Sequence, residues 1–139
     1  MTTATSEVYV TVRVGSETYA LPVESVLEVA DLGDLTELPG AGTGVLGMRN
    51  FHGQVLPVFD LAHVLGGSGD AVPSRLVVAD RSGCLAGLAV DEVTDVGSLS
   101  ADRAEPESEY LTDAVLEDGA LVGIVDLDRV FATLRSNAR

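Results

Sequence analysis

Residues 55–65, VLPVFDLAHVL, and residues 121–131, LVGIVDLDRVF, are two versions of one segment set 66 positions apart. Asp60-Leu61 falls on Asp126-Leu127, and His52-Gly53 just upstream falls on Asp118-Gly119. A second pair extends the repeat toward the N-terminus: ALPVESVLEVADL (20–32) aligns with GLAVDEVTDVGSL (87–99) at an offset of 67. There Leu21 meets Leu88, Val26 meets Val93, Glu28 meets Asp95 and Val29 meets Val96. One indel between the blocks accounts for the change of offset. Low-complexity valine patterning would reproduce the apolar matches alone. Because acidic and turn positions match as well, the pattern reads as an internal duplication.

Each repeat is written in short strands. EVYVTVRV (7–14) alternates apolar and polar with period two, the mark of a half-buried strand, and Glu17 to Leu21 returns after the Gly15-Ser16 turn. From Pro22, the residues Val23, Val26 and Leu27 sit at helical spacing. Leu35 to Leu38 reads as a brief strand stopped by Pro39, and 40–44 as a glycine-rich connector. Val45 to Phe51 and Gln54 to Phe59 form a hairpin around His52-Gly53. Asp60 is placed to cap a short helix, LAHVL, which the glycines from Gly66 end. The second half follows the same plan: RLVVAD (75–80), LAGLAV (85–90), then DEVTDV (91–96) as strand or short helix. YLTDAVLE (110–117) and ALVGIV (120–125) pair around Asp118-Gly119, a strong turn dipeptide, and Asp126 caps LDRVFATL. The expected class is mainly β, two five-stranded barrels with short helices, pseudo-duplicated. They form one domain over 7–134, with repeat halves of approximately 7–66 and 75–134 and flexible termini at 1–6 and 135–139.

Composition narrows the function. At 139 residues, 46% hydrophobic but only 4% aromatic and without Trp, the core must be built from Val, Leu and Ala. No apolar run approaches the roughly 18 to 20 residues that span a bilayer, and MTTATSEVYV lacks the basic start of a signal peptide, so a cytoplasmic location is expected. A net charge of −14 repels phosphate backbones and anionic lipid, so neither nucleic acid nor direct membrane insertion is expected. There is no lysine for Schiff-base or P-loop chemistry, and the single Cys84 excludes an intramolecular disulfide. His52 and His63 share no ligand spacing, and no GxSxG elbow is present. Paired aspartates in a duplicated β protein are the arrangement of aspartic proteases, whose carboxylates share a proton. That family follows its Asp with a hydroxyl residue and glycine, whereas Leu61 and Leu127 stand here. The expectation is no catalytic residue, no cofactor and no metal. A small-molecule-binding barrel stays open as an alternative class, although such a site needs convergent polar groups and the strands offer few.

The strings ETYALPVESVLEV, ELPGAGTGVLGMRNFHGQVLPVFDL, LAGLAVDEVTDV and DGALVGIVDLDRVF resemble the CheW-like family in order and spacing, over about residues 7–134. The most specific element runs from Gly47 to Leu61. The resemblance implies two SH3-like barrels joined by a hydrophobic seam. It also implies a non-catalytic adaptor that bridges the regulatory domain of a CheA-type histidine kinase to the cytoplasmic hairpin tips of chemoreceptors. An adaptor of a non-chemotaxis receptor–kinase array is the alternative within the family. By position the resemblance puts kinase binding on Val26, Glu28, Val29, Gly47, Asn50 and His52, and receptor binding on Leu76, Val77 and Val96. Val26, Val29, Leu76 and Val96 read equally as core, and Gly47 as relief of a clash in a strand. Two departures stand out. His52 and Phe51 replace the family's Arg and Leu. That Arg pairs with the acid matching Glu28, and histidine cannot form its fork, although a His52–Glu28 contact strengthened by protonation is open. The stretch from Val96 to Tyr110 is also shorter than in many relatives, and acidic DRAEPESE (102–109) reads as a solvated loop.

Overall fold

The computed structural model describes residues 7–40, 42, 44–66, 73–99, 102–106 and 108–137, without the side chains of 135–137. Strands β1 (Tyr9–Val14) and β2 (Glu17–Pro22) lead through a 3-10 turn at Val23–Ser25 into β3 (Val26–Asp31). Then come β4 (Val45–Phe51), β5 (Gln54–Asp60) and α1 (Leu61–Val64). The second half holds β6 (Arg75–Arg81), β7 (Cys84–Val90), β8 (Glu92–Gly97), β9 (Arg103–Ala104), β10 (Leu111–Glu117), β11 (Ala120–Val125) and α2 (Leu127–Asn137). Three hairpins turn on residue pairs with positive φ: His52-Gly53 at 49° and 84°, Ser82-Gly83 at 54° and 85°, Asp118-Gly119 at 50° and 83°. Two successive left-handed residues are the type I′ signature, whose twist matches that of the flanking strands.

The strands form two sheets, one in the order β3-β6-β7-β5-β4 and the other β8-β1-β2-β11-β10-β9. Each sheet draws strands from both repeat halves, so the barrels interlock. The duplication is visible in the pairing. β3 pairs β6 as β8 pairs β1, and the parallel contact of β5 with β7 repeats in β11 with β2. Register shifts recur at equivalent places, between Val26 and Glu28 opposite β6 and between Thr11 and Val12 opposite β8. They recur again at Val45/Gly47 and Leu111/Asp113. A bulge bends the strand and raises its twist, which is how a short sheet curls on itself. In one barrel the bent strand returns to the far edge through a Thr36–Met48 bridge; in the other, β9 pairs β10.

The core has three parts. One barrel interior holds Leu56, Val58, Leu76, Val78 and Ala89; the other holds Tyr9, Ala20, Val115, Val122 and Ile124. The third and largest cluster lies in the seam between them. Val10, Val12 and Val14 of β1 and Leu21 of β2 meet Val77 and Ala79 of β6 and Ala86, Leu88 and Val90 of β7. Leu61, Val64, Leu127, Val130, Phe131 and Leu134 come from the helices. β6 and β7 bury both faces, which is why RLVVAD and LAGLAV read as nearly unbroken apolar runs. Both expected caps form: Asp60 Oδ1 accepts from the Ala62 amide at 3.1 Å and Asp126 Oδ1 from that of Arg129 at 3.2 Å. Arg81 of β6 grips Asp128 of α2 with two hydrogen bonds of 2.7 and 3.0 Å, which holds the Asp128 carboxyl below the usual carboxylate range.

Four expectations change. The helical spacing after Pro22 yields only a three-residue turn, and Val26–Asp31 is a strand because it pairs with β6. Leu35 to Leu38 contributes the single Thr36 bridge. The acidic 102–109 stretch is not all solvated loop, because Arg103 and Ala104 pair with β10 and Arg103 meets Asp113 at 3.0 Å. α2 continues to Asn137, into the 135–139 stretch expected to be flexible. The expectations for 1–6, for 67–69 and for 138–139 fall outside the described residues.

Gly47→Ala should destabilise the fold by about 1–3 kcal/mol in urea unfolding, since its φ is 151° and a Cβ would lie 2.7 Å from the Thr36 carbonyl oxygen. Gly97→Ala, with nothing within 4 Å, should be close to neutral. Leu88→Ala in the seam should cost about 2–5 kcal/mol, with probes in both sheets reporting one transition. Burial, the hydrogen bond to Glu7 and that carboxylate's charge push the Tyr9 phenol up from 10.0 to about 12. The folded state therefore keeps a proton that the unfolded state loses, and the stability this provides should fall away between about pH 10 and pH 12. Tyr9→Phe should flatten that alkaline loss in pH-dependent unfolding.

Candidate protein-docking surfaces

The β4–β5 hairpin builds the first surface. Its turn is closed by Asn50, whose Oδ1 accepts the Gly53 amide at 3.2 Å. The left-handed conformation of His52 directs its ring toward β3, where Nε2 lies 3.3 Å from Glu28 Oε1. Phe51 meets the imidazole edge-on, ring centroids 4.4 Å apart at 70°. The pair is exposed, 73% at the histidine side chain and 43% at the carboxylate. The contact runs through one ring nitrogen, not through a guanidinium fork. Arg49 sits on the same strand and donates to the carbonyls of Asp31 and Leu32, the latter at 2.9 Å. It joins β4 to the end of β3 across the part of the barrel wall that strand pairing leaves open. Arg75 adds an ion pair to the Asp31 carboxylate.

Glu28, Asn50 and His52 thus come together at one edge, around a cleft of about 180 Å³ that Arg49 and Phe51 also line. Gly47 lies buried against the Thr36 carbonyl and contributes a close backbone approach. Val26 and Val29 are half-buried against the seam core. Leu76 and Val77 are 1% and 0% exposed, because β6 is sandwiched between a barrel interior and the seam, and Leu76 is also among the residues lining the cleft. Val77 lies opposite Val29 in the ladder, so it supports that residue from within. Val96, in contrast, is 58% exposed. It pairs with Val10 of the seam core and therefore stands at the seam's rim, at the position equivalent to Val29.

Two features escaped the sequence reading. Arg49 carried a signal, a basic residue inside a strand otherwise apolar or neutral. Val55 carried none. It lies directly opposite Asn50 and is 67% exposed, yet it belongs to the run VLPVF, which has no alternation to tell its faces apart. The repeat equivalents of Asn50 and Val55 are Leu116 and Leu121, cross-strand neighbours on the β10–β11 hairpin and exposed at 43% and 46%. Each barrel therefore presents a hairpin with apolar surface.

Two interlocked SH3-like barrels, each with an exposed hairpin, define the class. The family model for the CheW-like domain matches residues 8–135, and the chain belongs to that family. It is 29% identical to the chemotaxis protein CheW of Rhizobium meliloti (strain 1021) over 129 residues, 86% of this chain and 83% of that protein. It is 31% identical to protein FrzA of Myxococcus xanthus over 137 residues, 91% of this chain and 86% of that one. Among solved structures, the scaffolding protein TtCheW from Thermoanaerobacter tengcongensis superposes with a TM-score of 0.81 at 24% identity, covering 93% of this chain and 90% of that one.

Arg49→Met keeps the apolar stem but removes both carbonyl contacts. It should cost about 1–2 kcal/mol and speed amide exchange across β3 and β4, while β10 and β11 stay protected.

Proposed function

We propose that this protein is a non-catalytic cytoplasmic scaffold that couples chemoreceptors to a CheA-type histidine kinase. The observation that carries the reading is the hairpin from Gly47 to Leu61, the most family-specific element of the chain, which gathers Asn50 and His52 beside Glu28 at one exposed edge. We assign the kinase contact to that edge, with Val26 and Val29 at its border with the seam. The receptor contact is assigned to the seam rim at Val96, with Val77 as buried support. Pseudo-symmetry suits such a role. A molecule with two similar ends can join partners that are themselves built in two similar halves, and heterologous contacts that close give rings. The single-nitrogen His52–Glu28 contact replaces the family's clamp, so it should hold the edge less firmly than an arginine would.

Calorimetric titration into the regulatory domain of the CheA-type kinase from the same organism tests this. Saturable one-to-one binding is expected, weakened about tenfold or more (roughly 1.4 kcal/mol) by Glu28→Arg or Val26→Arg, with the variants still folded. Absence of heat at high concentration of folded wild-type protein would overturn the reading.

A further inference from the structure

A cavity of about 310 Å³ lies well away from the Glu28–His52 edge, between the end of α1 and the outer part of the β2-β11-β10 sheet. Its apolar lining comes from Tyr19, Leu65, Leu111 and Leu121, and two carboxylates, Glu17 and Glu105, are among its other lining residues. Neither carboxylate takes part in an ion pair or side-chain hydrogen bond among the described residues. No basic residue lines the cavity.

The duplication shows what the equivalent place holds in the other half. The counterparts of Tyr19, Leu65 and Leu111 are Ala86, Phe131 and Val45; Ala86 and Phe131 are buried in the seam core, whereas Val45, like Tyr19, Leu65 and Leu111 themselves, is half-buried against it. Leu65 directly follows the four-residue α1, which ends at Val64 with Gly66 at a φ of 87°. Phe131 lies inside α2, which runs on to Asn137 and buries Leu134 to 3%. The cavity is therefore the space left by the helical turns that α1 lacks and α2 has. The counterpart of Glu17 is Cys84, so charge has replaced an uncharged side chain there. Ala104 pairs with Ala114 as Thr36 bridges Met48, which makes Glu37 the counterpart of Glu105 and keeps a carboxylate at that position in both halves. A permanent intrachain filler would gain nothing from two unpaired carboxylates, whereas a separate basic partner would.

We propose that this groove docks a helical segment of another protein, one that presents an apolar residue toward Tyr19 and Leu65 and lysine or arginine toward Glu17 and Glu105. This is helix-in-groove recognition with a charged rim. It goes beyond the kinase and receptor contacts assigned above and uses none of their residues.

The probe is a synthetic peptide of residues 126–137 with Asp126 and Asp128 replaced by lysine, titrated into the full chain and followed by amide chemical shifts. Saturable shifts at Tyr19, Leu65, Leu111 and Gly123 are expected. The double variant Glu17→Gln/Glu105→Gln should weaken binding about fivefold, as for two partly exposed charge contacts. A peptide with Phe131 and Leu134 replaced by serine should not bind. Shifts spread over the acidic surface, affinity unchanged in the double variant, or binding by the serine peptide would each overturn the proposal. Shifts at the same amides that grow with protein concentration alone would assign the groove to a second copy and overturn it too. Glu17 and Glu105 are exposed, so the double variant should fold, and its unperturbed spectrum checks that.

Discussion

The packing of β1 and β2 against β6 and β7, closed over by the two helices, is the contact on which the rest of this structure depends. Each barrel interior holds a handful of buried residues, too few to offset the entropy of ordering sixty-odd residues by itself. The seam supplies the remaining burial, and it does so mostly with valine, leucine and alanine, joined by Phe59 and Phe131, in a chain without tryptophan. Branched and small side chains interdigitate closely between pleated surfaces. Inside one barrel glycine serves a similar closeness: a Cβ at Gly87 would lie 2.8 Å from Leu76 and 3.1 Å from Val58. The relative orientation of the two exposed hairpins is thus set by core packing and not by a linker.

Much of this was legible in the sequence because it is local. Turn pairs such as His52-Gly53 and Asp118-Gly119 announce themselves by dihedral preference, and Asp60 and Asp126 by position ahead of an apolar helix. The duplication was visible because acids and turns matched along with valines. The family resemblance brought Glu28 and His52 into question as a pair, and the structure places them in contact. What stayed hidden is nonlocal. Periodicity indicates that β6 is apolar on both faces but not which sheet claims it, so Leu76 and Val77 could be read as surface when they are among the most buried side chains. Exchange of strands between the halves leaves no trace in either half alone. β3 was misread because the proline and the Val23–Val26–Leu27 spacing suit a helix, and only its pairing with β6 decides otherwise.

The docking edge shows how few atoms distinguish one member of a family from another. Asn50 is occupied with the turn, Arg49 with two backbone carbonyls, and Gly47 with making room for Thr36. Each is committed to the shape of the hairpin or to its seating on neighbouring backbone. Glu28 and His52, paired with each other, and Val55 are the exposed groups at this edge, and of these His52 is where the chain departs from the family pattern. Substitution there changes the chemistry offered while the supporting geometry is kept by its neighbours.

The exchange of strands has one more consequence. β1 and β2 belong by sequence to the first half but complete the sheet built from the second, and β6 and β7 return the favour. A chain divided between its repeats would yield two pieces that each lack the strands to finish a sheet, and each piece would hold what the other lacks. The monomer is in effect a swapped dimer whose two subunits have been fused. It carries within one polypeptide the obligate association that two ancestral copies would have needed concentration to achieve.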